Sequence, residues 1–241
     1  MVQVGGYGGC QRGDVGRQGF TGAPALTVES PEVVDIWANL GTMWLMTDQY
    51  FKPYAVCYWA QPAIAGTLAL QRAHHLSLEA IKRIRVLTFH EATRLTCRHP
   101  QTTEEAQYNL PFPVAAALVH HQLGPTELSG LALHDPRILN LAERGELVEN
   151  SAFNARFPAD RLSRVQIETH DGRTFDSGEV RARWDVISPP SEAELREKFR
   201  WVARNSLSEA RVAALEEMIW QCADLPEATS LLTLLAPAKE R

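Results

Sequence analysis

Cysteine is scarce in this chain, and its cysteines are too far apart to suggest a shared site. The 241 residues include only Cys10, Cys57, Cys97 and Cys222. No pair has the close spacing of a zinc knuckle or a redox dithiol, and four is a low number for a disulfide scaffold. The eight histidines include two adjacent pairs whose side chains would diverge on a helix, so we expect no metal site. A reducing cytoplasm fits this content best.

Long hydrophobic runs and an excess of basic residues are also missing. No stretch is long and apolar enough to span a bilayer, and no signal peptide with a charged start and an apolar centre is visible. The formal net charge of −5 argues against binding to nucleic acid or to an anionic membrane surface. Hydrophobic residues make up 45% of the chain, which is enough to bury a core.

Glycine is concentrated at the start of the chain, where seven of the first nineteen residues are glycine. With little apolar content, residues 1–19 are predicted to form a flexible leader. Ser30 and Pro31 then form a cap and first-turn pair. A helix is expected from Ser30 to Leu40, because the apolar residues there recur at helical spacing.

The rest of the chain alternates helical and strand patterns. We expect helices over residues 62–74, 103–107, 112–122 and 136–143, after Ser191 and Ser208, and around 231–235. Strands are expected at 82–90, 163–170 and 173–180, and more weakly at 147–153. Asp171-Gly172 joins two of them in a tight turn. The pattern predicts an α+β fold, with helices packed on one face of a mainly antiparallel sheet.

The most informative segment runs from Tyr50 to Gly66. Lys52 directly precedes Pro53, which disfavours helical geometry at the lysine, and a helix is expected to start at Pro62. The segment therefore places an ammonium group at the mouth of a helix, among apolar and aromatic residues. Such a group can bind a carboxylate or stabilise negative charge that develops in a reaction.

This segment resembles the Lys-Pro-Tyr-Pro-x-Cys motif of the MmgE/PrpD family. Two further segments are similar to the family in order and approximate spacing, namely residues 105–118 and Glu194–Phe199. The resemblance implies cofactor-free elimination, decarboxylation or epimerisation of small di- or tricarboxylates, with a 2-methylcitrate dehydratase-like lyase favoured. It also implies a homodimer, or a partner chain that carries the family's helical domain.

Family members are about twice as long, and the histidines and the acidic residue that transfer protons lie mainly in a preceding helical domain. On this basis residues 20–50 are expected to be the tail of that domain. Residues 51–190 would form the C-terminal α+β domain, and residues 191–241 would add helices. The chain would then supply an anion-holding wall rather than the base. The alternative is a non-catalytic remnant, or a binding subunit that completes its site with a separate helical-domain partner.

The resemblance makes Lys52 the expected catalytic residue, and Lys52, Tyr54, Gln61 and Asn109 the expected substrate-binding residues. Gln61 and Asn109 stand where relatives have other polar side chains, and both can donate hydrogen bonds. Phe112 stands for a tyrosine and has no hydroxyl. Cys57 matches the family motif and is expected to be a small buried residue rather than a nucleophile.

The apolar faces of the first and last helices would normally pack on helices that the chain does not contain. We therefore expect Trp37, Leu40 and Leu232 to be unusually exposed.

Overall fold

The computed structural model describes residues 17–19, 26–227 and 229–235, so most of the expected leader lies outside the described residues. The chain divides into two units, Met1–Asp48 and Gln49–Arg241. In the first, helices α1 (Leu26–Glu29) and α2 (Val34–Trp37) are accompanied by 3-10 turns at Pro31–Val33 and Leu45–Asp48.

The cap predicted at Ser30 is confirmed, because its Oγ accepts the Glu32 N–H at 3.3 Å. The continuous helix predicted from Ser30 to Leu40 is wrong, since only the 3-10 turn and α2 form there. The β-branched residues Val33 and Val34 lower helix propensity at the break.

The exposure predicted for the two terminal apolar stretches is confirmed. Trp37 is 40% exposed, Leu40 is 60% exposed and Leu232 is 64% exposed.

The second unit is built on a five-stranded sheet. Its strands are β1 (Ile81–Thr88), β2 (Gly145–Glu149), β3 (Leu162–Thr169), β4 (Thr174–Asp176) and β5 (Val180–Arg181). The order is β2-β1-β3-β4, and β5 also pairs with β3. The pairs of β3 with β1, β4 and β5 are antiparallel, whereas β2 runs parallel to β1. The α+β fold with a mainly antiparallel sheet is confirmed.

The hairpin predicted at Asp171-Gly172 joins β3 to β4. Gly172 has a φ of 86°, which glycine adopts without steric cost. The second predicted strand is interrupted, because residues 177–179 separate β4 from β5. The strand predicted at 147–153 is partly wrong: β2 starts at Gly145, and residues 151–154 form a short helix. That helix starts there because the Asn150 side chain accepts the N–H groups of Ala152 and Phe153.

Two long helices, α3 (Gln61–His74) and α6 (Pro111–His120), cover the sheet. The unit also contains the shorter helices α4 (His90–Thr93), α5 (Thr103–Gln107), α7 (Pro136–Glu143) and α8 (Ser151–Asn154). Gly66 allows α3 to approach β3, since a Cβ there would lie 3.3 Å from Val165 Cγ2. Ile84, Val86 and Ile167 are buried on the sheet.

The strands also carry exposed charges, which alternate along each strand with the buried residues. They form cross-strand ion pairs such as Arg83–Glu168 at 2.8 Å and Arg164–Asp176 at 2.6 Å. The charge of Arg164 is therefore balanced by Asp176 on this solvated face, and its presence there needs no bound ligand.

Among the described residues, three helices follow β5: α9 (Glu192–Ala203), α10 (Glu209–Trp220) and α11 (Thr229–Leu235). The predicted capping box at the start of α9 is confirmed, with Ser191 and Glu194 bonded reciprocally. Glu216 of α10 accepts hydrogen bonds from Arg196 and Arg200 of α9, which joins the two helices. The hydrogen bonds from Arg200 and then Arg196 hold the pKa of Glu216 below its usual value, so it stays ionised near neutral pH.

Candidate functional site

The segment before α3 is irregular and is held in place by Gln61. The Gln61 Oε1 accepts the Tyr54 N–H at 3.2 Å, and its Nε2 donates to the carbonyls of Tyr54 at 3.0 Å and Val56 at 2.9 Å. The side chain is buried, and the residue is 1% exposed. Both ends of this amide are therefore committed to shaping the loop that carries Lys52 and Tyr54.

A second loop, after β5, is tied to the first. The Phe51 N–H donates to the Trp184 carbonyl at 2.9 Å, and the Tyr58 hydroxyl bonds to Asp185 Oδ2 at 3.3 Å. Trp184 is buried and has a φ of 71°, a left-handed conformation that costs a bulky residue about 1–2 kcal/mol. Backbone strain of this kind is concentrated at functional sites, and here it lies in the wall of a cavity.

That cavity has a volume of about 550 Å³. Its wall is formed by the loop before α3, one side of α3, β5 with the loop that follows it, and α9. The residues that line the cavity include Tyr54, Gln61, Arg72, Arg183, Trp184, Glu194, Glu197, Lys198 and Trp201.

The charged residues of the wall are three cations and two carboxylates. Arg183 pairs with Glu194 at 2.8 Å. Hydrogen bonds from the Ser191 N–H and hydroxyl, and then Arg183, lower the pKa of Glu194, so it stays ionised and is already engaged. Within the described part of the chain, Arg72 forms no side-chain hydrogen bond or ion pair. Arg72 and Lys198 are thus cations that face the cavity without a carboxylate partner.

Lys198 is half-buried, and its Nζ donates to the carbonyl of Lys52. The ammonium lies 5.7 Å from the centre of the Trp184 ring, within the range of a cation–π interaction. Burial, and secondly the charge of Lys52, lower the pKa of Lys198. Lys198 was not among the predicted site residues, although it lies in the Glu194–Phe199 segment that resembles the family.

Tyr54 brings a phenol to the same cavity. Burial raises the pKa of its hydroxyl, against the opposite effect of the Arg72 and Arg183 charges. The phenol therefore remains protonated near neutral pH and is able to donate a hydrogen bond to an anion.

The structure thus brings two of the four predicted binding residues, Tyr54 and Gln61, to one cavity. Lys52 is not among the residues that line this cavity, but its backbone carbonyl accepts a hydrogen bond from Lys198, which does line it. Asn109 is 0% exposed and is not among the residues that line this cavity. Neither polar atom of its side chain has a hydrogen-bond partner among the described residues. Phe112 is fully buried in the core.

Metal sites and membrane-spanning helices are both absent from the described residues. No group of three or more His, Cys, Asp or Glu side chains there is arranged to hold a metal ion. None of the helices described above is long and apolar enough to cross a membrane. Cys57, Cys97 and Cys222 are free thiols.

Comparison with known proteins defines the family. Residues 54–224 match the model of the MmgE/PrpD C-terminal domain. This range covers well over half of the sequence and contains every residue of the cavity wall named above. The chain belongs to the MmgE/PrpD family, as the motifs indicated.

Two curated relatives are similar to most of the chain. Human cis-aconitate decarboxylase is 26% identical over 221 residues, which cover 86% of this chain and 44% of that protein. The cis-aconitate decarboxylase-like protein oryM of Aspergillus oryzae is 23% identical over 213 residues, which cover 84% of this chain and 43% of that protein. The chain spans less than half the length of these relatives.

Proposed function

We propose that this chain binds a small di- or tricarboxylate in the cavity between α3 and α9, as part of a lyase or isomerase site. The observation that carries this proposal is the set of three cations, Arg72, Arg183 and Lys198, around the Tyr54 phenol. The chain as a whole has a net charge of −5. The three cations of this concave wall therefore do not reflect a general excess of basic residues in the protein.

The proposed chemistry needs fixed positive charge beside a carboxylate. Removal of a proton or of carbon dioxide next to a carboxylate leaves enolate-like negative charge, and in a dehydration the later departure of hydroxide relieves that charge. Lys198 and Tyr54 line the cavity, and Lys52 is joined to Lys198 through its backbone carbonyl. In this proposal these three residues stabilise that charge. Arg72 and Arg183 would hold the carboxylates that do not react.

Proton transfer is assigned to a partner in this proposal. Glu194 is ionised and is engaged by Ser191 and Arg183, so it is a poor base. We propose a chain carrying the family's helical domain as the source of the base, and a homodimer as the alternative assembly. The contrasting proposal is a non-catalytic binding subunit. It is favoured because the Gln61 amide is already hydrogen-bonded within the loop and because Asn109 lies in the interior.

The reaction is best tested with several carboxylates in parallel. The names of the two relatives make decarboxylation of cis-aconitate the first reaction to examine, and dehydration of 2-methylcitrate remains the second. Turnover of either by this chain together with a helical-domain partner supports the enzyme. Binding without turnover, with every partner supplied, supports the non-catalytic subunit.

We expect Lys52→Met and Lys198→Met each to weaken cis-aconitate binding by about 1.5–3 kcal/mol, the usual contribution of a hydrogen bond to a charged group. Methionine keeps the length of the stem and removes the charge. Calorimetric titration measures the effect. Lys82→Met is the matched control, because Lys82 is an exposed lysine of β1 paired with Glu168 outside the cavity.

If Lys52→Met binds as tightly as the wild type while Lys198→Met does not, the anchoring role belongs to Lys198 alone. No measurable binding by the wild type would remove the carboxylate proposal altogether.

As the pH is raised, we also expect the carboxylate affinity to begin to fall at a lower pH than it would if Lys198 had the pKa of an ordinary lysine. Because the folded pKa of Lys198 is lowered, the ammonium loses its proton before the usual value of about 10.4 is reached. Binding is then full below the lowered pKa and weakens as the pH rises through it. Titrations over a series of pH values measure this. In Lys198→Arg the decline should move to higher pH, and an unchanged profile would show that Lys198 does not contact the anion.

A further inference from the structure

A second cavity, of about 510 Å³, lies beside the first and shares part of its wall. Tyr54, Arg72, Glu197 and Trp201 line both cavities. The remaining wall comes from α3, from the end of α6 and the turn that follows it, and from the last turns of α9. Nothing in the proposed carboxylate chemistry uses this space.

The second cavity is more cationic than the first. Its lining includes three arginines, Arg72, Arg200 and Arg204, against one carboxylate, Glu197. The charge of Arg200 is balanced by Glu216, which accepts hydrogen bonds from its Nε and a terminal nitrogen at 2.5 and 2.6 Å.

Over the described ranges, neither Arg72 nor Arg204 has a side-chain hydrogen bond or an ion pair. Two guanidinium groups that form no ion pair among these residues, both on exposed side chains, therefore line one concave space. Guanidinium groups favour the planar or tetrahedral oxygen arrays of carboxylates and phosphates.

The backbone of Arg204 is held at the C-terminal end of α9. Its N–H donates to the Arg200 carbonyl at 3.2 Å, as the cap of α9. On the other side of the cavity, His121 ends α6 with a φ of 57° and also lines the wall. Trp201, which lines both cavities, is packed closely over Gly124.

We propose that the second cavity binds a compact oxyanion, a phosphate or carboxylate group, through Arg72 and Arg204, and that its occupancy weakens anion binding in the first cavity. Arg72 lines both spaces, so a guanidinium drawn to one anion is less available to the other. Two anions on either side of a shared wall also repel each other. The coupling is reciprocal, because each ligand must change the affinity of the other by the same factor.

Calorimetric titration of the whole chain with inorganic phosphate tests the site. We expect Arg204→Gln to bind phosphate about tenfold more weakly than the wild type. Arg94→Gln, which removes an exposed arginine outside both cavities, should bind normally. No phosphate binding by the wild type would overturn the site, as would equal affinity in the wild type and Arg204→Gln. A loss in Lys198→Met but not in Arg204→Gln would place the phosphate in the first cavity and overturn it equally.

The coupling is tested by titrating cis-aconitate with and without saturating phosphate. We expect weaker cis-aconitate binding in the presence of phosphate, and we expect this effect to be lost in Arg204→Gln. Phosphate that binds at Arg204 without changing cis-aconitate affinity would overturn the coupling. If cis-aconitate does not bind at all, the proposed function fails, whereas the phosphate titration still decides the second site.

Discussion

Gly124→Ala is expected to destabilise the protein by about 1–3 kcal/mol and to weaken anion binding in both cavities. A Cβ at this position would lie 2.5 Å from Cζ2 and 2.8 Å from Cη2 of Trp201, which is closer than atoms approach in proteins. The backbone cannot easily retreat, because the Gly124 N–H donates to the buried Glu127 at 2.7 Å. The indole must therefore move, and it forms part of both cavity walls.

Chemical denaturation measures the change in stability, and calorimetry measures the change in affinity. The control is the double variant Gly124→Ala with Trp201→Phe, in which a smaller ring makes room for the methyl group. Its loss of stability should be less than the sum of the two single losses. Wild-type stability and affinity in Gly124→Ala would show that the ring moves freely and does not define the walls.

Asn109→Leu is expected to stabilise the protein by about 1–3 kcal/mol, the penalty of a buried polar group left without a partner. The residue is fully buried, and neither its Oδ1 nor its Nδ2 has a partner among the described residues. Leucine has nearly the same shape and no polar atoms. Asn109→Asp keeps the shape but buries a carboxyl group, so it should be less stable than the wild type near neutral pH.

Urea denaturation of the three proteins gives the order of stability, and titration with cis-aconitate gives the affinity. The structure predicts that Asn109→Leu leaves the affinity unchanged. A less stable Asn109→Leu variant with weakened cis-aconitate binding would instead return Asn109 to the site, as the resemblance to the family implied.

Local rules were sufficient for several parts of this protein. The capping box of Ser191 and Glu194, the turn at Asp171-Gly172 and the helix Pro136–Glu143 depend on residues a few positions apart. Their hydrogen bonds form within one segment, so the residue types alone predict them. The family motif around Lys52 also indicated the right family.

The sequence by itself thus determined the family, the α+β class and most of the helices, whereas only the tertiary structure decided which side chains share a cavity. Lys198 lies 146 residues from Lys52, and their contact depends on how α9 packs beside the loop before α3. Asn109 is buried in the interior, and hydrogen bonds to Tyr54 and Val56 commit the Gln61 amide to the loop. Motif spacing reports neighbours along the chain, but long-range packing sets burial, hydrogen-bond partners and pKa, and these decide which polar side chains remain free to meet a ligand.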